Sequence, residues 1–344
     1  MSDYYNGETA RTEAREFGAK IIEVIGMRSN GKSYDILNYS LNRYKNEGVK
    51  MVYVRRWRED LQKKFMATLF AKHDSNVRFY QGAFYYGEEK APFCVTTSLS
   101  SSEHFKGFTA TSDFKIIMFD ECFTRRRELP NEFDLWQDVV STIVRDRDDV
   151  EVYMVGNTVK RISCYFTEYG IDIKKLKKGK INKITVKGID GDELKIVCEW
   201  CDKNGKTSQN KSLYFVNNKS SNMITDGDFE SDLHYTQTLN GVNISNWNNA
   251  RKLPFAFVHN SIIIEIRIYN GVLLAKYGRK SKYNISKQIF GGDDGRIYKN
   301  NFPFYTTNSG LNQIQTAIYK QIVENQFIAE DVDAAEILME IVRG

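Results

Sequence analysis

The chain has 344 residues, 41% of them hydrophobic, which is length for two domains and apolar material for buried cores. Its 49 Lys and Arg against 44 Asp and Glu leave a formal net charge of +5, a mild basic bias compatible with nucleic acid without arguing for it. The polar opening Met1-Ser2-Asp3-Tyr4-Tyr5-Asn6 gives no expectation of a signal peptide, and no apolar run reaches the roughly 18 residues of a bilayer span, so no membrane partner is expected.

In chain order, Ile21-Ile22-Glu23-Val24-Ile25 is a short apolar, β-branched run that predicts a buried parallel strand. Gly26-Met27-Arg28-Ser29-Asn30-Gly31-Lys32-Ser33 follows it and fits the phosphate-loop pattern G-x-x-x-x-G-K-[ST] with no substitution. The glycines let backbone N–H groups curl around an anion. Lys32 would reach the β- and γ-phosphates of ATP, and the Ser33 hydroxyl would hold Mg²⁺. Residues 34–46 carry Ile36, Leu37, Leu41 and Tyr44 at helical spacing, with Gly48 to end the helix. Strand, glycine loop and helix together put phosphate at a helix N-terminus.

Val49 to Arg56 predicts another strand, followed by an amphipathic helix over residues 59–72. The aromatic cluster Phe79-Tyr80 and Phe84-Tyr85-Tyr86 reads as hairpin packing rather than a base-stacking surface. Lys115 to Phe119 is an apolar strand ending in Asp120 and Glu121, which puts two carboxylates at the C-terminal edge of a parallel sheet, where nucleotides bind. Asp120 is the candidate for the Mg²⁺ shell and Glu121 for polarising the attacking water. A strand between the loop and the acid strand, with a Glu beside the Asp, points to an α/β P-loop NTPase of the additional-strand catalytic-glutamate type. That branch holds helicases, translocases and ring motors rather than kinases or GTPases.

A helix over residues 131–145 turns Leu135, Val139, Ile143 and Val144 inward. Arg145-Asp146-Arg147 leads from it into the strand Glu151 to Val155 and then Gly156-Asn157. Asn157, at that strand's tip, is a candidate contact for the γ-phosphate, and Arg145 or Arg147 could enter a neighbouring subunit's site as an arginine finger. Cys198-Glu199-Trp200-Cys201 is a lone C-x-x-C without the second pair a structural zinc site wants, and the five cysteines suit reduced thiols.

Beyond residue 200 the composition turns to Asn, Ser, Lys and Asp, which suggests an ATPase domain over 1–200, a linker over 201–245 and a smaller α+β domain over 246–344. Strands are predicted over 255–258 and 262–268, the latter joined through Tyr269-Asn270-Gly271 to 272–276 as a hairpin. Helices are predicted near 311–324 and 332–342.

With these motifs in place, the chain resembles the DNA-packaging ATPases of φ29-like tailed bacteriophages. Gly26-Met27-Arg28, Tyr53-Val54-Arg55-Arg56, Phe119-Asp120-Glu121, Val144-Arg145-Asp146-Arg147 and Asn157 match that family's pattern in order and spacing, and the hairpin at 262–276 continues the likeness more weakly. The resemblance implies a homopentameric ring, docked in the host cytoplasm at the portal of a prohead, driving double-stranded DNA inward with ATP. Whether a structural RNA joins motor and portal stays open. It also implies Asp120 as metal aspartate, Glu121 as catalytic glutamate, Arg145 as a trans-acting finger and Arg28 as a second group on γ-phosphate charge. Lys106 lies near a trans-acting lysine of the family.

In large packaging proteins the second half is a ribonuclease-H-like nuclease with clustered carboxylates on two metals. Here the first long strand offers Glu265, with Asp293, Asp294, Asp331 and Asp333 further along, and the usual central-strand aspartate is missing. The resemblance therefore implies a vestigial nuclease that handles DNA without cutting it. Candidate phosphate contacts on DNA are Arg55, Arg56, Arg58, Lys63, Lys64, Lys106, Lys174, Lys175, Lys177 and Lys178. Two alternatives stay open: a terminase-like ATPase with an active nuclease, and a cytosolic P-loop ATPase that remodels protein.

Overall fold

A computed structural model describes residues 4–124, 128–158, 163–188, 191–201, 238–259, 262–278, 289–290, 318, 320–324 and 326–343. The chain divides into two compact units, Met1–Glu230 and Ser231–Gly344. In the first, the elements run α1 (Glu8–Phe17), β1 (Ile21–Gly26), α2 (Lys32–Glu47), β2 (Lys50–Arg55), α3 (Lys63–Met66), β3 (Val77–Tyr80), β4 (Ala83–Tyr86) and β5 (Cys94–Ser98). They continue with α4 (Ser102–Phe105), β6 (Phe114–Asp120), α5 (Glu132–Val144), β7 (Glu151–Asn157), α6 (Cys164–Glu168), β8 (Lys180–Lys187) and β9 (Glu193–Trp200).

The strands form one nine-stranded sheet in the order β3-β4-β5-β2-β6-β7-β1-β9-β8. The six strands from β5 to β9 in that order are parallel, and antiparallel strands close both edges. The inner strands are almost wholly apolar because both faces are covered. On one face α1 and α2 bring Ala10, Ala14, Ile36, Leu37 and Leu41 against Ile22, Val24, Met51 and Tyr53. On the other, α5 and α6 bring Trp136, Val139, Ile143 and Tyr165 against Val52, Val54, Ile117 and Phe119.

The strand that intervenes in the chain, β2, lies outside β6; the strand that intervenes in space is β7, which pairs with both β1 and β6. Gly26, Asn157, Asp120 and Arg55 therefore end side by side at the carboxyl edge. Gly31 caps α2 at φ 97° and Gly48 ends it at φ 72°, both left-handed positions that suit glycine.

The helix expected over 59–72 is broken. A 3-10 turn at Arg58–Leu61 is followed by Gln62 in extended geometry and only then by the single turn α3. The start of the segment is tied to the loop after β5, Arg58 N–H donating to Ser100 Oγ and Ser100 N–H to the Arg56 carbonyl. Within 59–72 only Met66 and Phe70 are fully buried, too few anchors to hold a long helix. The aromatic cluster is hairpin packing, with Phe84 edge-on to Phe70 and beside Phe79.

In the second unit β10 (Thr238–Leu239) and β11 (Val242–Asn243) precede β12 (Arg251–His259), β13 (Ile262–Tyr269), β14 (Val272–Tyr277), β15 (Ile289–Phe290), β16 (Phe327–Ala329) and α7 (Val332–Arg343). Residues 238–245, expected as linker, thus carry two short strands and the start of a 3-10 turn. The main sheet runs β15-β12-β13-β14-β16; β12, β13 and β14 are antiparallel, while β15 and β16 run parallel to their neighbours. Asn270 (φ 48°) and Gly271 (φ 78°) make the hairpin turn, both left-handed as a two-residue loop of this kind requires. The helix expected near 311–324 lies mostly outside the described residues, as do Asp293 and Asp294. Among the described residues no helix is long and apolar enough to cross a membrane.

Candidate active site

A cleft of about 400 Å³ opens over the loop between β1 and α2, lined by residues 28–34, Asp120, Glu121 and Val155 to Asn157. Lys32 heads α2 and is buried. Its ammonium donates to the carbonyls of Gly26 (3.2 Å) and Met27 (2.7 Å), to Asn30 Oδ1 (3.1 Å) and to Asn157 Oδ1 (3.4 Å). These acceptors are all uncharged, and burial pulls the ammonium pKa down to about 8. A buried cation held only by neutral oxygens is a site ready for an anion.

Ser33 Oγ donates to Asp120 Oδ1 at 2.8 Å, and the Tyr53 hydroxyl donates to Asp120 Oδ2 at 2.8 Å. Burial and the neighbouring carboxylate raise the Tyr53 pKa well above its ordinary value, so this donor keeps its proton. Glu121 follows with φ 57°, a left-handed backbone that costs a non-glycine residue about 1 kcal/mol and turns the chain off the strand line. The turn is held by Cys122 N–H on the Val155 carbonyl, with Phe123 packed so tightly on Gly156 that a Cβ there would lie 2.1 Å from its ring. Gly156 is thus a site requirement that the sequence did not single out. Glu121 is half exposed and accepts from Arg55 Nη2 at 2.7 Å; the same guanidinium lies 3.5 Å from Asp120 Oδ2 and 3.5 Å from Asp60.

Two of the expected DNA contacts, Arg55 and Arg56, are engaged within the protein. Arg55 belongs to the acid pair in the cleft. Arg56 is 4% exposed, bound at 2.7 and 2.8 Å to the equally buried Glu132, and donates to the Glu121 and Cys122 carbonyls. Glu132 also accepts from the Tyr165 hydroxyl and Leu129 N–H. It was missed because it lies 76 positions from its arginine in the chain.

Arg28 lines the cleft, exposed. Arg145 is exposed at φ 47°, between α5 and β7, hence at the amino edge of the sheet and away from its own cleft. Among the described residues its guanidinium has no hydrogen bond or ion pair, whereas Arg147 donates to the Ser112 and Ile143 carbonyls. Lys106 is exposed and pairs with Glu103 (2.7 Å) and Asp138 (3.2 Å). Arg58, Lys63, Lys64 and Lys177 are exposed, Lys175 pairs with Asp172, Lys178 is half-buried, and the Lys174 side chain lies outside the described residues.

In the second unit, the first long strand, β12, carries no carboxylate. Glu265 lies on β13, 4% exposed, and accepts from Arg267 Nε (3.0 Å) and Nη2 (2.9 Å). Arg267 in turn lies over the Trp247 ring at 4.5 Å. Asp331 accepts from the Tyr277 hydroxyl (3.0 Å) and Ala334 N–H (2.9 Å), capping α7, while Asp333 lies in that helix's first turn.

The sequence pattern of the podovirus DNA encapsidation protein (Gp16) family matches residues 2–190. The chain belongs to that family. The DNA packaging proteins of Bacillus phage B103 and Bacillus phage phi29 are each 29% identical to it, over 163 and 157 residues. Those stretches are 44% and 43% of this chain, and 49% and 46% of the relatives, so the chain spans about half the length of the curated relatives it matches. A solved structure of the bacteriophage Phi-29 viral genome packaging motor assembly aligns over 99% of each chain, with a TM-score of 0.61 and 17% identity. The Phi-28 gp11 DNA packaging motor aligns over 100% of this chain and 99% of its own, with a TM-score of 0.56 and 15% identity. The family member thus shares the α/β fold of these motors.

Proposed function

We propose that the chain is a subunit of an ATP-driven ring motor that moves double-stranded viral DNA into a preformed prohead. One observation carries this reading: Lys32, the Ser33–Asp120 pair and Glu121 converge on one cleft at the carboxyl edge of a parallel sheet. A Mg²⁺ ion fits the donor set, since Ser33 Oγ and Asp120 Oδ1 are hard oxygens 2.8 Å apart at the mouth of a phosphate loop. Bound there, it would neutralise phosphate charge and polarise the γ-phosphoryl group.

The chain's own residues then divide the work. Backbone N–H groups of the loop and Lys32 bind the β- and γ-phosphates of ATP, the ammonium exchanging neutral oxygens for anionic ones. Asn157, already within reach of Lys32, is placed to sense the γ-phosphate. Glu121 orients and polarises the attacking water once its carboxylate leaves Arg55. Arg145 is withheld from its own cleft and has no side-chain partner among the described residues, which suits a finger acting on a neighbour's ATP in a ring, read as a pentamer. Arg28 is the second candidate on γ-phosphate charge.

The second unit reads as a ribonuclease-H-like fold without the cleavage chemistry. Two-metal cleavage needs carboxylates left open to cations, and Glu265 is neutralised by Arg267. Its place would be at the portal of the prohead, in the host cytoplasm, handling DNA and the ring partner.

The test is ATP-dependent protection of DNA from nuclease in matching proheads. Wild type should package, Glu121→Gln should bind ATP and fail, and Arg145→Ala should fail alone yet hydrolyse ATP when mixed with subunits that keep the arginine. Robust ATP turnover indifferent to DNA, with no packaging by wild type, would sink the motor reading in favour of protein remodelling.

A further inference from the structure

Among the described residues Tyr34 is the sole aromatic lining the cleft, and its side chain is left 47% exposed. It follows Ser33 directly in the first turn of α2. Its ring is not loose: it stacks on His73 at 4.1 Å and 21°. His73 Nε2 is in turn held 3.0 Å from the Tyr34 carbonyl, and its ring sits edge-on to Phe70 at 5.6 Å. One ring face is covered by a fixed partner, and the residue still contributes to the cleft wall. Among the described residues the Tyr34 hydroxyl has no partner. The ring is thus preset and half-exposed at a site otherwise lined mainly by charged, polar and small residues.

Resting on the nucleotide reading above, we propose that Tyr34, backed by His73, is the platform on which the nucleobase of the bound triphosphate stacks. Lys32 and Ser33 take the β- and γ-phosphates, and the first N–H groups of α2 take the charge next in line. The residue after Ser33 therefore stands beside the α-phosphate and ribose, with its ring within reach of the base. Ring faces recognise area rather than hydrogen-bond pattern. The site consequently prefers purines to pyrimidines and discriminates weakly between adenine and guanine.

Binding of ATP, GTP, CTP and inorganic tripolyphosphate to the full chain, measured by calorimetry with Mg²⁺ present, tests this. Wild type should hold ATP and GTP within a few-fold of each other and both more tightly than CTP. Tyr34→Ala should weaken ATP and GTP about ten-fold while leaving tripolyphosphate unchanged. Tyr34→Phe should keep the purine preference, and His73→Ala should lose part of it. Equal losses of ATP and tripolyphosphate in a folded Tyr34→Ala chain would overturn the proposal, because the ring would then only brace the loop. Unchanged ATP binding, or a wild type that prefers ATP to GTP by a hundred-fold, would overturn it too. A wild type that binds neither ATP nor tripolyphosphate would instead fail the nucleotide reading itself.

Discussion

Arg55 and Arg56 are neighbours in the chain and each meets a glutamate at 2.7 Å, yet they belong to different parts of the molecule. Strand alternation sends Arg55 to the α2 side, where Tyr53 and Asp120 also point, and Arg56 to the α5 side. Arg55 holds Glu121, which is 52% exposed; Arg56 holds Glu132, which is 1% exposed. The first pair is open to water on the Glu121 side, and its arginine is shared among three carboxylates. The second is dry, two-pronged and reinforced by Tyr165. Distance alone does not separate a working contact from a structural one. What separates them is whether water can replace the partner.

Removing one acid from each pair should separate them most clearly. Glu132→Ala leaves a guanidinium buried with only two carbonyls, and should cost about 3–5 kcal/mol of stability. Urea unfolding would register that as a large drop in midpoint at constant slope. Glu121→Ala should leave the midpoint almost unmoved. A similar loss in both would mean that the cleft pair is also part of the framework.

Local pattern made the cleft legible. Loop, helix start and acid strand are each contiguous, and their chemistry follows from residue order alone. The arginines were not, because which side of β2 an arginine faces depends on where the strand ends and on what lies across a helix. Residues 59–72 misled for a related reason: their apolar spacing is helical, but tertiary ties to Ser100 and an extended Gln62 divide the segment. The neutralised Glu265 could have been foreseen. Glu-x-Arg on a strand puts both side chains on one face, which already argues against an open metal site.

Glu23 is a buried acid with no arginine at all among the described residues. Glu23 on β1 is 1% exposed, its oxygens have no N–H or O–H partner among the described residues, and burial raises its pKa to about 8. The titratable groups near it are the thiols of Cys198 on β9 and Cys122 after β6, and the phenol of Tyr169 after α6. None brings a positive charge. The folded chain therefore keeps this proton up to about pH 8, while the unfolded chain releases it above its ordinary value near 4.5. Between those limits the folded state binds more protons, so stability should fall as pH rises, by at most about 1.4 kcal/mol per pH unit from this group. Glu23→Gln should flatten that slope in unfolding measured from pH 5 to 8. A slope unchanged by the substitution would mean that Glu23 is solvated or paired after all.

The smallest effect belongs to the wet pair. If Arg55 restrains Glu121, Arg55→Ala should release the carboxylate to polarise water and raise ATP hydrolysis by the chain without DNA. The gain should be small. Glu121 is half exposed, so the lost contact is screened and worth about 0.5–1 kcal/mol, or roughly two- to five-fold in rate. Phosphate release at saturating ATP reads it directly, and the KM for ATP should hardly move, since Lys32 and the loop are untouched. A fall in rate would assign Arg55 the opposite duty, keeping Asp120 in line with Tyr53 and Ser33. The two arginines would then differ in burial but not in kind, each supporting an acid, and the release of Glu121 would have to come from another residue, in the proposed ring a neighbouring subunit's.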